Sequence, residues 1–264
     1  MKQRVISAVI ALIIVIPILL LGGYFFYAGV GVLAIIGFYE IISVREKKDK
    51  LPMFMKVGAL IVYLCIALSS ITSKGSFNID YRLIVMLLLL CFIPLITIKK
   101  SKYDCEDAFF VFATTLFLGM AFNFLIVVRN MSLHYFIYPL VITIMSDTFA
   151  HFFGTKIGKI KLCPTVSPNK TVEGMIGGTV FGTFLGAAYF LTFIAQNANI
   201  FLVIIMSLLL SLVGQFGDLV FSSIKRKYGV KDYGNIMPGH GGVLDRLDSI
   251  IFAILAFSYL VSFF

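Results

Sequence analysis

The sequence predicts an all-α polytopic membrane protein of about nine transmembrane helices, with its N-terminus cytoplasmic and its C-terminus outside. Three observations predict it. Only 13% of the 264 residues are charged, 22 basic and 13 acidic, where a soluble domain carries about 25%. Apolar residues make up 60%, and the mean hydropathy is +1.01. Lysine and arginine gather in alternate connections between the apolar runs. So few charges cannot cover a water-facing surface, which excludes disorder and argues against a soluble enzyme. The four cysteines (Cys65, Cys91, Cys105, Cys163) show no CxxC or histidine-paired spacing, so neither a disulfide framework nor a zinc site is indicated.

A helix crossing the hydrocarbon core needs about 20 apolar residues. Residues 5–39 contain no Asp, Glu, Lys or Arg, which is too long for one crossing, and Gly22-Gly23 divides them. The spans read near 4–21, 24–44, 53–72, 82–98, 107–128, 134–153, 173–195, 200–221 and 244–264. Gln196-Asn197-Ala198-Asn199 breaks the neutral run 174–217 with polar turn formers. Lys2 and Arg4 before the first run resemble the start of a signal peptide. That run is long, lacks a small-x-small cleavage site and is followed by eight more, so it reads as a span.

Orientation follows from the basic residues. Eighteen lie at the N-terminus and in the second, fourth, sixth and eighth connections; only Lys74, Arg82 and Arg129 lie opposite, and Lys56 falls within a span. The basic side faces the cytoplasm. The two longest connections, 154–172 and 222–243, fall on that side, and the halves do not repeat each other, which weakens an inverted-repeat transporter reading. The chain divides into N-terminal helices over 1–130 and a C-terminal bundle over 131–264 that carries both long connections.

Ionisable residues at membrane depth cost about 2.5–3.5 kcal/mol each on insertion scales and point to function. Asp147 lies late in the sixth span, Glu173 opens the seventh, Asp218 lies late in the eighth, and Asp245 and Asp248 open the ninth on one helix face. All five come out at one level on the cytoplasmic side. A helix N-terminus accounts for Glu173, and for Asp104, Glu106 and Asp107 at the start of the fifth span. It does not account for Asp147 or Asp218, which stand near helix C-termini and need partners.

Carboxylates at one level among lysines and arginines are what a metal–phosphate site requires, since Mg²⁺ takes one or two carboxylates with phosphate and water oxygens. The segment from Ser222 to Asp248 is the densest in such residues. Its glycines Gly239, Gly241 and Gly242 flank His240 just before the ninth span, where backbone N–H groups and the helix dipole favour an anion. Upstream, Ser167-Pro168-Asn169-Lys170-Thr171 delivers hydroxyls, an amide and a lysine just before the seventh span. Gly154 to Lys159 fails as a P-loop in its spacing and in lacking Ser or Thr after the lysine. Gly174, Gly178, Gly182 and Gly186 recur every four residues and read as a helix-packing face. His134 and His151 read as packing or interface residues.

The Ser222–Asp248 stretch resembles the signature of the phosphatidate cytidylyltransferases, or CDP-diacylglycerol synthases. The matching positions are Ser222, Lys225, Arg226, Lys231, Asp232, Gly234, Pro238, His240, Gly241, Gly242, Asp245, Arg246 and Asp248. Met237 departs conservatively. Ser146 to Ala150 and Ser167 to Gly174 also look like family segments, whereas the likeness over 1–130 is architectural. The resemblance implies an enzyme of the inner membrane, often dimeric, that joins CTP to phosphatidate with Mg²⁺ and admits a potassium ion beside it. It makes 131–264 the catalytic bundle and suits the helices over 1–130 to a lipid entrance or a dimer contact. A CTP-dependent lipid kinase and, further off, a membrane transporter are the competing readings; nucleic acid is not an expected partner.

With that reading, Asp218, Lys225, Asp245 and Arg246 are the expected catalytic residues. Asp218, Asp245, Asp248 and Asp147 are the expected metal ligands. Ser167, Asn169, Lys170, Ser222, Arg226, Lys231, His240, Gly241 and Gly242 are the expected substrate contacts.

Overall fold

The computed structural model describes residues 2–72, 80–97, 103–236 and 241–261. Helix occupies every apolar run of the sequence: α1 (Lys2–Leu21), α2 (Gly23–Arg45), α3 (Met53–Ala67) with α4 (Ser69–Thr72), α5 (Tyr81–Phe92) with α6 (Pro94–Thr97), α7 (Cys105–Met131), α8 (Leu133–Lys156), α9 (Val172–Phe193), α10 (Ile200–Lys227) and α11 (Leu244–Leu260). Six of these segments are long and apolar enough to cross a bilayer: α2, Met53–Ile71, α7, α8, α9 and α10. Val9–Leu21 and Tyr81–Ile96 are shorter apolar helices, and α11 has 17 residues. Large apolar side chains stand bare on the outside, Phe201 at 74% and Ile96 at 78% exposure, as lipid-facing surfaces do and water-facing ones do not. The chain is a polytopic, helical membrane protein.

One element was not expected. The connection 157–171 folds back as a hairpin, with β1 (Lys161–Cys163) antiparallel to β2 (Ser167–Thr171), Lys161 opposite Thr171 and Cys163 opposite Ser167. Pro164 opens its turn, and Val166 N–H closes it on the Cys163 carbonyl at 3.2 Å.

The helix boundaries follow local chemistry. Gly22 and Gly23 take φ of 64° and 50°, a left-handed conformation that separates α1 from α2 at little steric cost. Pro94 lacks an N–H and crowds the preceding turn, so α5 breaks before it. The break after α3 has a different cause: Asn123 of α7 donates through Nδ2 to the carbonyls of Ile66 and Ala67 and to Ser69 Oγ. An inserted side chain that captures backbone acceptors interrupts a helix in this way. Asn199 caps α10, accepting from Phe201 N–H at 3.0 Å, so the polar tetrapeptide 196–199 is the turn its composition implies.

The chain forms two compact units, Met1–Asn130 with Asp232–Asp245, and Met131–Lys231 with Arg246–Phe264. Residues 232–236 and 241–245, which the sequence groups with the C-terminal bundle, belong to the first unit. That unit holds a buried ion pair: Arg45 Nε donates to Asp107 Oδ1 at 2.7 Å, and a second guanidinium nitrogen meets the same oxygen. Both side chains are almost wholly covered, and Arg45 also donates to the Asp49 carbonyl. Arg45 is thus more than a positive-inside anchor, and Asp107 more than a complement to a helix dipole. Lys56 stands in the first turn of α3 and pairs with Glu46 at 3.0 Å.

In the second unit α8, α9 and α10 pack together. Gly174, Gly178, Gly182 and Gly186 of α9 all face α8; a Cβ on Gly178 would stand 2.5 Å from the Ser146 carbonyl oxygen, and one on Gly174 2.6 Å from that of Ala150. The glycine stripe is the close helix contact its spacing implies. Hydroxyl and amide groups then join the helices: Ser146 Oγ meets Ser211 Oγ at 2.5 Å, Tyr138 meets Ser207 at 2.7 Å, and Gln215 donates to Thr179 Oγ1 at 2.9 Å. His134 lies against Tyr189, 3.0 Å from its hydroxyl, and stacks on Phe193, a packing role.

Removing one partner of a buried ion pair leaves a charge unanswered and costs about 3–5 kcal/mol, whereas replacing both by apolar groups costs little. Asp107→Ala is therefore expected to lower the thermal unfolding midpoint in detergent sharply, and Arg45→Met with Asp107→Leu to recover most of it. Equal losses in the two proteins would show that the cost does not come from the unanswered Arg45 charge.

Candidate active site

The second unit assembles the charged cluster. Asp147 on α8 and Asp218 on α10 each stand nine residues before the end of their helices (147 against 156, and 218 against 227). Both helices run further than the sequence suggested, because Lys225, Arg226 and Lys227 in the last turn of α10, like Lys156 in that of α8, complement the negative end of the helix dipole. The two acids therefore lie about two and a half turns inside their helix ends. Asp248 is the fifth residue of α11.

Asp218 is the centre of the cluster. Lys170, near the end of β2, places Nζ 2.5 Å from Asp218 Oδ2 and donates to the Gln215 carbonyl at 3.4 Å. Ser222, one turn further along α10, donates to Asp218 Oδ1 at 3.2 Å. Asp147, which is exposed, bonds the Ser249 side chain and lies within electrostatic reach of Asp218 and Lys170. Asp248, half-buried, accepts from Ser249 N–H at 2.7 Å and lies within reach of Asp218, Asp147 and the buried Lys225. The structure thus brings together Asp147, Lys170, Asp218, Ser222, Lys225 and Asp248, supplied by three helices and the hairpin.

The hairpin explains how Lys170 reaches its place. Thr171 ends β2 and caps α9, its hydroxyl accepting from Gly174 N–H at 3.1 Å. Val172 N–H bonds the Ile160 carbonyl at 2.9 Å, and Glu173 accepts from Ile160 N–H. With both ends of the hairpin tied, the lysine is held at the foot of α9 instead of swinging on a loop. Ser167 and Asn169 lie on the same strand, Asn169 exposed. Arg226 is otherwise engaged: it donates to the carbonyls of Val166 and Val230, both at 3.2 Å, and so ties α10 to the hairpin turn. Lys231 and Arg246 are exposed.

The first unit holds the rest of the signature. His240, with Met237, Pro238 and Gly239, lies outside the described residues. Gly241 takes φ of 86°. The N–H of Gly242, expected to meet a phosphate, donates instead to Asp245 Oδ2 at 2.9 Å, and Tyr233 N–H donates to the same oxygen at 2.7 Å. A carboxylate at the start of α11 thus satisfies donors that would otherwise serve an external anion. Glu40 of α2, which the sequence did not single out, does the same for the next two residues. Its Oε1 accepts from Val243 N–H and its Oε2 from Leu244 N–H, both at 2.8 Å.

Among the described residues, no three acidic, histidine or cysteine side chains converge to hold a metal ion. The donors that do gather are carboxylates and a hydroxyl, which suit a hard cation and not a thiophilic one. Mg²⁺ needs only one or two protein carboxylates, taking its remaining ligands from phosphate and water. The donor set therefore fits that ion.

Fold and cluster together define the class: a polytopic helical membrane protein with an oxygen-donor, lysine-bordered site suited to phosphate groups. The chain belongs to the cytidylyltransferase family, whose profile matches residues 2–264. It is 37% identical to a phosphatidate cytidylyltransferase of Staphylococcus aureus strain COL over 256 residues, 96% of each chain. It is 38% identical to the protein of that name from Staphylococcus haemolyticus and 35% identical to that from Staphylococcus saprophyticus, again over 96% of each.

α10 hands the chain to the signature segment through a glycine stop. Gly229 takes φ of 67°, and the N–H groups of Gly229 and Val230 bond the carbonyls of Arg226 and Lys225, a Schellman arrangement. No atom lies near its missing Cβ, so Gly229→Ala should cost only the left-handed backbone penalty, about 1–2 kcal/mol. Thermal unfolding in detergent measures it; an unchanged midpoint would mean that this stop contributes nothing to stability.

Proposed function

We propose that this protein makes CDP-diacylglycerol and pyrophosphate from CTP and phosphatidate, in the service of phospholipid synthesis. The observation that carries the reading is the match, over 96% of the chain, to proteins named phosphatidate cytidylyltransferase. The acid–lysine cluster around Asp218 supports it chemically. A phosphatidate oxygen attacks the α-phosphorus of CTP, a new P–O bond forms, and the bond to the departing pyrophosphate breaks. The nucleophile is already ionised near neutral pH, so no strong base is required. The obstacle is bringing two polyanions together, and the remedy is positioning and charge neutralisation.

Lys170 and Lys225 hold phosphate oxygens, with Arg246, Lys231 and His240 assisting from the signature. Asp218, Asp248 and Asp147 would hold Mg²⁺, with Asp245 as a further expected ligand and a potassium ion as a further guest. When bound, the metal neutralises phosphate charge. Ser222 and Lys170 meanwhile orient Asp218.

All nine apolar segments cross the bilayer in this reading, with the N-terminus and the connections 154–172 and 222–243 on the cytoplasmic side of the inner membrane. CTP then arrives from the cytoplasm, and the lipid phosphate arrives at headgroup level while its chains stay in the bilayer. The basic face enriches anionic lipid there. The protein acts as a homodimer. A single cysteine replacing Lys159, in a cysteine-free background, is expected to react with an impermeant maleimide in inverted membranes and not in intact cells. The reverse pattern would invert the topology.

The activity is tested by pyrophosphate release from purified protein in detergent, omitting CTP, Mg²⁺ and phosphatidate in turn. Release should require all three and yield a CDP-lipid. CDP without pyrophosphate would mark a lipid kinase, and no nucleotide turnover would return the transporter reading. Asp218→Asn and Asp245→Asn should each reduce turnover about a hundredfold or more, the size of effect that follows loss of a group stabilising transition-state charge. Full activity in either would remove that residue from the site.

A further inference from the structure

Glu40 is buried in α2 at 4% exposure, some 200 residues before the groups it serves. Its two carboxylate oxygens each accept one backbone N–H, from Val243 and Leu244, the donors at the very start of α11. Two glycines of the signature make room for it. A Cβ on Gly234 would stand 2.7 Å from Glu40 Oε1, and one on Gly242 2.6 Å from its Cδ. Immediately beside it, Asp245 Oδ2 gathers the N–H groups of Tyr233 and Gly242. Four consecutive-in-space backbone donors of the segment Asp232–Asp245 are thereby shared between two carboxylates, one local and one from a distant helix.

We propose that Glu40 is a positioning residue for the reaction: by binding the Val243 and Leu244 N–H groups it fixes the signature segment and the start of α11, and so the presentation of Asp245. The inference rests on the proposed function. It follows from the bonding pattern that a carboxylate is required. Both backbone groups are donors, so both side-chain atoms facing them must accept. Glutamine keeps the shape but turns an NH₂ toward one N–H, losing one bond and setting two donors against each other in a buried place. Aspartate keeps both acceptors and is short by one methylene. A residue that only filled space would rank these substitutions by size, with glutamine harmless.

The test compares the parent with Glu40→Gln, Glu40→Asp and Glu40→Ala in detergent, with kcat and KM for CTP and phosphatidate normalised to the monodisperse folded protein. The expected result is a fall in kcat of about tenfold to a hundredfold for Gln and Ala, as misplacement of a reacting group by about an ångström produces. The KM for phosphatidate should stay within about twofold of the parent, since both Glu40 oxygens are taken up by the Val243 and Leu244 N–H groups and a carboxylate would repel a phosphate. Glu40→Asp should recover part of the loss. Gly234→Ala, which keeps the carboxylate and crowds it, should lower kcat in the same way and covers the case in which a Glu40 variant does not fold. Parent-like kcat in Glu40→Gln, or parent-like kcat in Gly234→Ala, would overturn the proposal. A parent without CTP- and phosphatidate-dependent pyrophosphate release would instead overturn the proposed function, and the two failures are read from different proteins.

Discussion

Hydrocarbon offers neither a counter-charge nor a hydrogen bond, so an ionised group carried into the membrane must be answered by the chain itself. A charge taken out of water among packed helices faces the same demand, and three answers to it organise the described residues. Arg45 and Asp107 neutralise each other between α2 and α7. Glu40 is answered by two backbone N–H groups at the start of α11. Asp218 is answered by Lys170 and Ser222. The first holds helices together and the second anchors a loop. The third ties the hairpin to α10 and gathers a lysine and a hydroxyl around one acid.

That third arrangement depends on how closely α8, α9 and α10 approach. Glycines along α9 let α8 come within backbone contact, and the Ser146–Ser211 and Gln215–Thr179 bonds hold the three helices together. Interhelical hydrogen bonds in membranes are individually modest, about 0.6 kcal/mol on average, so the glycine contact supplies most of the geometry and the polar pairs make it specific. Asp147 and Asp218 come to the same distance from their helix ends because both helices continue into basic last turns. The hairpin does for Lys170 what packing does for the acids: it removes the freedom of a long side chain's base before the side chain is used.

Much of this was legible in composition and spacing. The apolar runs located the helices, Gly22-Gly23 and Asn199 marked two of the breaks, the four-residue glycine period marked the α8–α9 contact, and unpaired acids late in two helices demanded partners. The hairpin was not legible, because strands of three and five residues holding lysine and proline carry no alternation to detect. Asp107 looked like an ordinary first-turn acid and Arg45 like an ordinary anchor, since an ion pair between residues 62 apart leaves no local pattern. Glu40 was hidden for the same reason. It is one acid in an apolar run, and nothing nearby names the N–H groups it serves.

The sequence by itself determined that the chain lives in a membrane, where its helices run, and which family chemistry its densest polar segment carries. Those properties are local: hydropathy over a window, a period along one helix, a run of fixed polar positions. Only the tertiary structure decided which charge answers which, that Gly242 gives its N–H to Asp245, and that Glu40 reaches the start of α11. Pairing in a low-dielectric interior is settled by which distant groups the packing of helices brings within hydrogen-bond reach, and that is a property of the whole fold.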